Sequence, residues 1–214
     1  MSSELFKLTS QTRIILGERT TAEDQFAAQQ LNIRLSEMRK TPLRIASEGS
    51  LRKVPKNILY LGSPQSSFGK RWLKARNLAL GPELKNEGYV LEAKQEEIVI
   101  LGESAVGRFY GMMTLLQLLE LQKKSVVVPG VSIRDWPQQK IRGITDDLSR
   151  GQISTMENFK KIIRFLAHHK LNVYSPYIED IFVFKNHPLT GKGRGELTAV
   201  EVRELDAYAK QYHV

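Results

Sequence analysis

Strand-like and helix-like patterns alternate over the last third of the chain, and this alternation constrains the fold most. Residues 140–147 predict a strand that ends in carboxylates. A capping-box pattern at 154–157 then opens a helix whose apolar stripe consists of Phe159, Ile162, Ile163 and Leu166. A second strand at 171–174 precedes another capping box at 198–201. This order implies parallel strands with helical crossovers, and two such units do not close a hydrophobic core.

The first two thirds of the chain also mix strands and helices. Strand patterns occupy residues 12–16, 43–46, 57–61, 88–92 and 97–101, of which the last two predict a hairpin. A Pro-bearing junction at 134–137 (RDWP) marks the predicted domain boundary. The sequence therefore predicts an α/β protein with one domain over residues 1–137 and a second over residues 138–214.

Two helices are predicted in the first domain. A capping box at 20–23 opens an amphipathic helix that runs to about residue 40. The helix after Ser104 is apolar over most of its circumference, which is typical of a buried helix. Gly107 and Gly111 lie one turn apart in it, so we expect a neighbouring backbone to approach closely there.

Composition excludes several classes of function. The chain has no cysteine, which removes disulfide scaffolds, zinc-thiolate and iron–sulfur sites and thiol nucleophiles. The net charge of +9 comes from scattered Lys and Arg without interleaved aromatic residues, so we predict a solvated surface and no nucleic-acid site. No apolar run reaches the roughly 18 residues of a membrane span, and the first residues lack an export signal. The compartment stays open.

Metal binding and cofactors are not predicted. His168 and His169 are adjacent at a predicted helix end, where capping is favoured over a metal pair at i and i+4. The sequence has no His-Glu-x-x-His, no phosphate-binding glycine loop and no Gly-x-Ser-x-Gly elbow.

Charged residues gather where the two strands of the second domain end. Carboxyl ends of parallel strands meet at one edge, where carboxylates and guanidinium groups suit a polyhydroxylated ligand. Ion pairs at the strand ends explain the same residues equally well. The set consists of Asp146 and Asp147, flanked by Arg142 and Arg150, together with Glu179 and Asp180.

An ordered series of short segments resembles glycoside hydrolase family 20, the β-N-acetylhexosaminidases, over roughly residues 10–180. The segments are residues 87–92 (EGYVLE), 107–119 (GRFYGMMTLLQLL), 128–137 (VPGVSIRDWP) and 142–150 (RGITDDLSR). The resemblance implies a zincin-like first domain, a mixed sheet with helices and no metal, followed by the first two βα units of a truncated TIM (β/α)8 barrel. The implied ligand is a glycan with a terminal N-acetylhexosamine, in gluco or galacto configuration.

The resemblance also implies roles for single residues. Arg142 matches an arginine that binds sugar hydroxyls, and Asp147 and Arg150 match a structural pair after the first barrel strand. The family's Lys-x-Asn is kept at 170–172, but residues 175–177 (SPY) replace its His-x-His. That departure resembles a hexosaminidase D-like branch and leaves open which of Glu179 and Asp180 meets the sugar.

The family's chemistry is substrate-assisted: the acetamido oxygen of the sugar attacks its own anomeric carbon, while an Asp-Glu pair orients the amide and transfers protons. This pair follows the fourth barrel strand in the family. We therefore assign no catalytic residue to the chain and expect the 214 residues, read as a truncation, to be inactive alone. A barrel needs about 250 residues.

Two alternatives remain. The chain can be a non-catalytic carbohydrate-binding or structural module on the same scaffold. Glycoside hydrolase family 84 has similar first-domain segments, but its first barrel strand continues as an acid-Gly-Phe-Tyr-Gly segment, which residues 142–150 do not match.

Overall fold

The structure is a computed structural model that describes residues 4–51 and 55–214. The chain divides into two compact units, Met1–Gln138 and Gln139–Val214. Within the described residues, no helix is both long enough and apolar enough to cross a bilayer.

A six-stranded sheet forms the centre of the first unit. Its strands are β2 Arg13–Leu16, β3 Arg44–Ser47, β4 Ile58–Gly62, β5 Tyr89–Ala93, β6 Glu97–Leu101 and β9 Val131–Asp135. They lie in the order β3-β2-β4-β6-β5-β9. The first four strands in this order are parallel, whereas β5 runs antiparallel to both of its neighbours. All five residues of β4 are buried, as expected of a strand covered on both faces.

A second, smaller sheet was not predicted. It consists of three antiparallel strands in the order β1-β8-β7, with β1 at Leu5–Lys7, β7 at Glu120–Gln122 and β8 at Ser125–Pro129. The first unit also contains the helix α2, Ser67–Ala75, which is not among the two helices predicted for it. This helix buries Trp72 and exposes its basic residues.

The helices α1 (Ala22–Glu37) and α3 (Ala105–Leu118) pack against each other. The predicted capping box at 20–23 is wrong by one residue, because Thr21 is the N-cap and Asp24 closes the box. The close approach at Gly107 is confirmed: a Cβ there would lie 2.3 Å from the carbonyl oxygen of Gly88. At Gly111 the near neighbours are instead the side chains of Ile100 and Tyr89.

The second unit contains two parallel strands and two helices. The strands β10 (Gly143–Asp147) and β11 (Val173–Tyr177) pair in register from Gly143 and Val173 to Asp147 and Tyr177. The helix α4 is Met156–His168 and α5 is Ala199–Gln211. The capping box at Thr198 and Glu201 is confirmed. The box predicted at 154–157 is wrong, because Thr155 is the N-cap and its hydroxyl accepts from Asn158 N.

The two faces of the β10–β11 pair differ. The Tyr174 ring lies 6.2 Å from the ring of Phe159 in α4, which identifies the helix-covered face. Side chains alternate along a strand, so Thr145, Asp147, Ser175 and Tyr177 belong to the other face. All four residues are exposed.

Candidate active site

Arg150 lies between two carboxylates at the carboxyl edge of β10 and β11. Its Nη1 donates to Oδ2 of Asp147 at 2.9 Å, and its Nη2 lies 3.9 Å from Oε1 of Glu179. Asp147 ends β10 directly opposite Tyr177, the last residue of β11. The parallel pairing therefore brings three of the predicted site residues together.

The turn after β10 holds Asp147 in its charged form. Oδ1 of Asp147 accepts from the hydroxyl of Ser149 at 2.6 Å and from its backbone N–H at 2.9 Å. These hydrogen bonds, together with Arg150, lower the pKa of Asp147 below its ordinary value. Asp147 thus shapes the loop after β10 and anchors Arg150.

Glu179 follows β11 and is exposed to solvent. Its φ of +43° is in the left-handed region, which non-glycine residues seldom adopt. The Tyr177 hydroxyl donates to Oε1 of Glu179 at 3.4 Å, and Cζ of Arg150 lies 5.9 Å from the centre of the Tyr177 ring. These three groups form an open surface with a carboxylate, a guanidinium and an aromatic ring.

Asp180 has a different environment from its neighbour Glu179. Its Oδ2 forms an ion pair with Nη1 of Arg194, whose Nη2 donates to the Ser149 carbonyl at 2.8 Å. Arg194 belongs to the loop of residues 183–196, whose two ends meet at a bridge between Phe182 and Leu197.

Asp146 does not join the other acids. It lies on the helix-covered face, where its Oδ2 accepts from the Tyr174 hydroxyl at 2.7 Å. Burial makes the largest contribution to raising the pKa of Tyr174 above its ordinary value, and this hydrogen bond makes the second largest. The contact between them stabilises the packing of the strand against its helices.

Arg142 lies at the opposite, amino end of β10. Its Nε donates to the Lys170 carbonyl at 2.8 Å, and its Nη1 donates to the Gln139 carbonyl at 2.6 Å. The side chain of Asn172 accepts from Arg142 N at 2.9 Å and donates to the Lys140 carbonyl at 2.8 Å. The Lys-x-Asn segment at 170–172 therefore fixes the starts of the two strands to each other.

Acidic and histidine side chains do not gather into a metal site in the part of the chain that the structure describes: no three of them could hold an ion. His169 is the C-cap residue of α4, and its ring centre lies 4.5 Å from that of Phe165.

The model of the family described as "Glycosyl hydrolase family 20, domain 2" matches residues 1–136. The chain belongs to glycosyl hydrolase family 20. The predicted resemblance and the α/β fold class are thereby confirmed.

Curated relatives from this family are much longer than the chain. A β-hexosaminidase of Porphyromonas gingivalis is 43% identical over 96 residues, which cover 42% of this chain and 12% of the relative. A β-hexosaminidase of Vibrio furnissii is 29% identical over 159 residues, which cover 63% of this chain and 26% of the relative.

Solved structures share the fold over the whole chain. A family 20 exo-β-N-acetylglucosaminidase from Vibrio harveyi, in complex with N-acetylglucosamine, has a TM-score of 0.75 at 22% identity. The match covers 100% of this chain and 33% of that enzyme. The β-N-acetylhexosaminidase from Streptomyces coelicolor has the same TM-score and identity, with 99% and 42% covered.

Sequence reasoning missed two residues of the site in this family 20 chain. Tyr177 appeared only as part of the segment that replaces His-x-His, although its register opposite Asp147 places it at the edge. Arg194 lies in the loop before α5, to which the sequence patterns assign no role. The signal that could have identified it is the spacing of Gly191, Gly193 and Gly195, which all have positive φ and shape a tight loop around it.

Proposed function

We propose that the complete protein is a β-N-acetylhexosaminidase that removes terminal β-linked N-acetylhexosamine from glycans. The observation that carries this proposal is the match of the family 20 model to residues 1–136. The names of three curated relatives, two β-hexosaminidases and one β-N-acetylhexosaminidase, support it.

The domain division belongs to the same proposal. Residues 1–137 are the non-catalytic α/β domain, and residues 138–214 are the first two βα units of a (β/α)8 barrel. The parallel pairing of β10 with β11 supports this assignment, as does the exposed polar face opposite α4. In such a barrel that face lines the interior, and the carboxyl edge forms part of the mouth where substrates bind.

In this proposal the described residues bind the sugar and do not transfer protons. The acetamido oxygen of the substrate displaces the protonated glycosidic oxygen from the anomeric carbon, and water then attacks that carbon and releases the acetamido oxygen. The two inversions together retain the configuration, and the Asp-Glu pair that assists both steps lies outside residues 1–214. Glu179 and Asp180 supply carboxylates at the mouth, while Asp147 and Arg150 hold the loop after β10. Arg142 is a sugar-binding candidate by resemblance alone, because its guanidinium lies at the amino end of β10, away from this mouth, and donates to backbone carbonyls.

Turnover with and without the acetamido group tests the mechanism. We expect the product of the complete open reading frame to hydrolyse an aryl N-acetyl-β-glucosaminide or galactosaminide, and to release a β-configured sugar detectable by NMR. An aryl β-glucoside, which lacks the internal nucleophile, should be hydrolysed far more slowly. Equal rates of hydrolysis of the N-acetyl-β-glucosaminide and the β-glucoside, or an inverted product, would refute substrate assistance. Binding of N-acetylglucosamine without turnover would favour a carbohydrate-binding module.

A further inference from the structure

The adjacent acids Glu179 and Asp180 differ in their availability to a ligand. The side chain of Glu179 is 48% exposed, and its contact with Arg150 is long, at 3.9 Å. The side chain of Asp180 is 34% exposed, but neither of its oxygens is free: Oδ2 pairs with Arg194, and Oδ1 is buried and lacks a hydrogen-bond partner among residues 4–51 and 55–214. A sugar hydroxyl therefore reaches the carboxylate of Glu179 more easily than that of Asp180.

Arg194 joins the segments that follow both strands. One arm of its guanidinium pairs with Asp180 after β11, and the other donates to the carbonyl of Ser149 after β10. The planar fork of arginine holds two acceptors at a fixed separation, which a lysine ammonium does not do. Arg194 thus fixes the spacing between the two loops that carry Arg150 and Glu179.

The loop of residues 183–196 is shaped to deliver Arg194 to this position. Gly191 has a φ of +70°, and a Cβ there would lie 2.0 Å from the carbonyl oxygen of Asp180. The carboxylate of Glu196 accepts from the backbone N–H of Gly193 at 3.1 Å. Close backbone packing and an internal hydrogen bond both restrict the loop beside Asp180.

Glu179 is held in its exposed position by its backbone. A left-handed conformation at a non-glycine residue is costly and persists where the surroundings impose it. The next residue, Asp180, is anchored by Arg194, and the preceding strand ends at Tyr177, whose hydroxyl contacts Glu179. The anchor at Asp180 therefore turns Glu179 outward.

We propose that Arg194 is a positioning residue: it locks Asp180 away from the ligand and presents Glu179 as the carboxylate that accepts a hydrogen bond from a sugar hydroxyl. This inference rests on the proposed hexosaminidase function. It divides the two strand-end acids into a substrate-binding residue, Glu179, and an anchor, Asp180.

Kinetics of the complete protein on an aryl N-acetyl-β-hexosaminide test this division. We expect Glu179→Gln to lower kcat/KM about 10- to 100-fold, the worth of a hydrogen bond to a charged group, with an unchanged Tm. The same substitution is also tested on a series of substrates that each lack one sugar hydroxyl. On the substrate without the hydroxyl that donates to Glu179, the loss should disappear, because the wild-type carboxylate has no donor there either.

We expect Arg194→Ala to lower kcat/KM by raising KM, and added guanidinium should restore part of the loss. Arg194→Lys should also have a kcat/KM below that of wild type. Lys192→Ala removes a positive charge from the same loop and is the matched control.

A double-mutant cycle identifies the anchor. Asp180→Asn and Arg194→Ala should each reduce kcat/KM. The kcat/KM of the double variant should be no lower than that of the less active single variant, because both substitutions break the same contact. Additive losses in the double variant would overturn the proposal. So would a wild-type kcat/KM in Glu179→Gln together with a reduced kcat/KM in Asp180→Asn. Equal losses of kcat/KM in Lys192→Ala and Arg194→Ala would overturn it as well.

Hydrogen exchange separates this inference from the proposed function. Arg194→Ala should speed amide exchange at residues 148–150 and 177–181, and Lys192→Ala should not. Wild-type protein without turnover would refute the hexosaminidase assignment, and with it the sugar role of Glu179. If Arg194→Ala leaves amide exchange at these residues unchanged, Arg194 does not anchor the two loops. This conclusion holds whether or not the protein is an active hexosaminidase.

Discussion

Arg108 of α3 and Asp24 of α1 form an ion pair in the interior of the first unit. Nη2 of Arg108 donates to Oδ2 of Asp24 at 2.9 Å, and its Nε donates to Oδ1. The two side chains are only 6% and 0% exposed. Arg108 also donates to the carbonyl of Gly102, so the pair joins both helices to the end of β6.

Asp24→Asn should destabilise the protein strongly. The change keeps the shape of the side chain but leaves the guanidinium of Arg108 buried without a counter-charge, which costs about 3–5 kcal/mol of unfolding free energy. Denaturant unfolding followed by circular dichroism measures it. Glu37→Gln breaks an exposed pair with Arg34 in the same helix and should cost at most about 1 kcal/mol. Equal losses for the two variants would contradict the buried pair.

Gly107→Ala should reverse the usual effect of this substitution in a helix. Alanine normally stabilises a helix relative to glycine by about 1 kcal/mol. Here the new Cβ would collide with the backbone of Gly88, so we expect a net loss of about 1–3 kcal/mol. Gly151→Ala is the control, because nothing lies within 4 Å of the added Cβ. A Gly107→Ala variant with a raised Tm would refute the close approach of the two backbones.

Ser149→Ala should raise the pKa of Asp147 towards its ordinary value. Ser149 supplies the largest contribution that lowers this pKa. A carboxyl with a lowered folded pKa adds stability that is present above its unfolded pKa and is lost as the pH falls through the folded pKa. The variant should therefore show a smaller loss of stability on acidification below the ordinary pKa. Carboxyl-carbon NMR titration of Asp147 checks the direction, with Ser154→Ala as the control. A midpoint unchanged by Ser149→Ala would contradict the geometry of the turn.

Tyr174→Phe should reduce stability without changing substrate affinity. The substitution removes the hydroxyl that donates to Asp146 and leaves the ring against Phe159, at a cost of about 1–2 kcal/mol. Because both groups lie on the helix-covered face, KM of the complete enzyme should stay within twofold of wild type. Thermal unfolding and steady-state kinetics measure the two effects. A large rise in KM with an unchanged Tm would place Asp146 in the site after all.

The α/β class and most of the strands could be predicted because apolar runs such as residues 58–61, and β-branched runs such as residues 98–100, are typical of buried strands. Short elements were missed: β1 and β7 have three residues each, too few for a period to emerge. The first capping box was misplaced by one residue because Thr20 and Thr21 are followed by Glu23 and Asp24, which both satisfy the pattern.

The candidate site was harder to predict because it depends on contacts between distant residues. The strand ends identified Asp147, Glu179 and Asp180, but periodicity alone did not separate Asp146, which the pleat turns to the other face. Arg194 contacts the carbonyl of Ser149, 45 positions away, and no local pattern indicates such a contact. Arg142 precedes β10, and only the structure reveals its carbonyl partners at the amino end.

Hydrolysis of aryl N-acetyl-β-hexosaminides tests the central claim most directly. The product of the complete open reading frame and the 214-residue chain are purified, folding of both is confirmed by circular dichroism, and release of the aryl alcohol is followed. We predict turnover of the glucosaminide or the galactosaminide by the complete protein and none by the 214 residues alone. A folded complete protein that releases nothing from either substrate would contradict the hexosaminidase assignment, and turnover by the 214 residues would contradict the placement of the catalytic pair outside them.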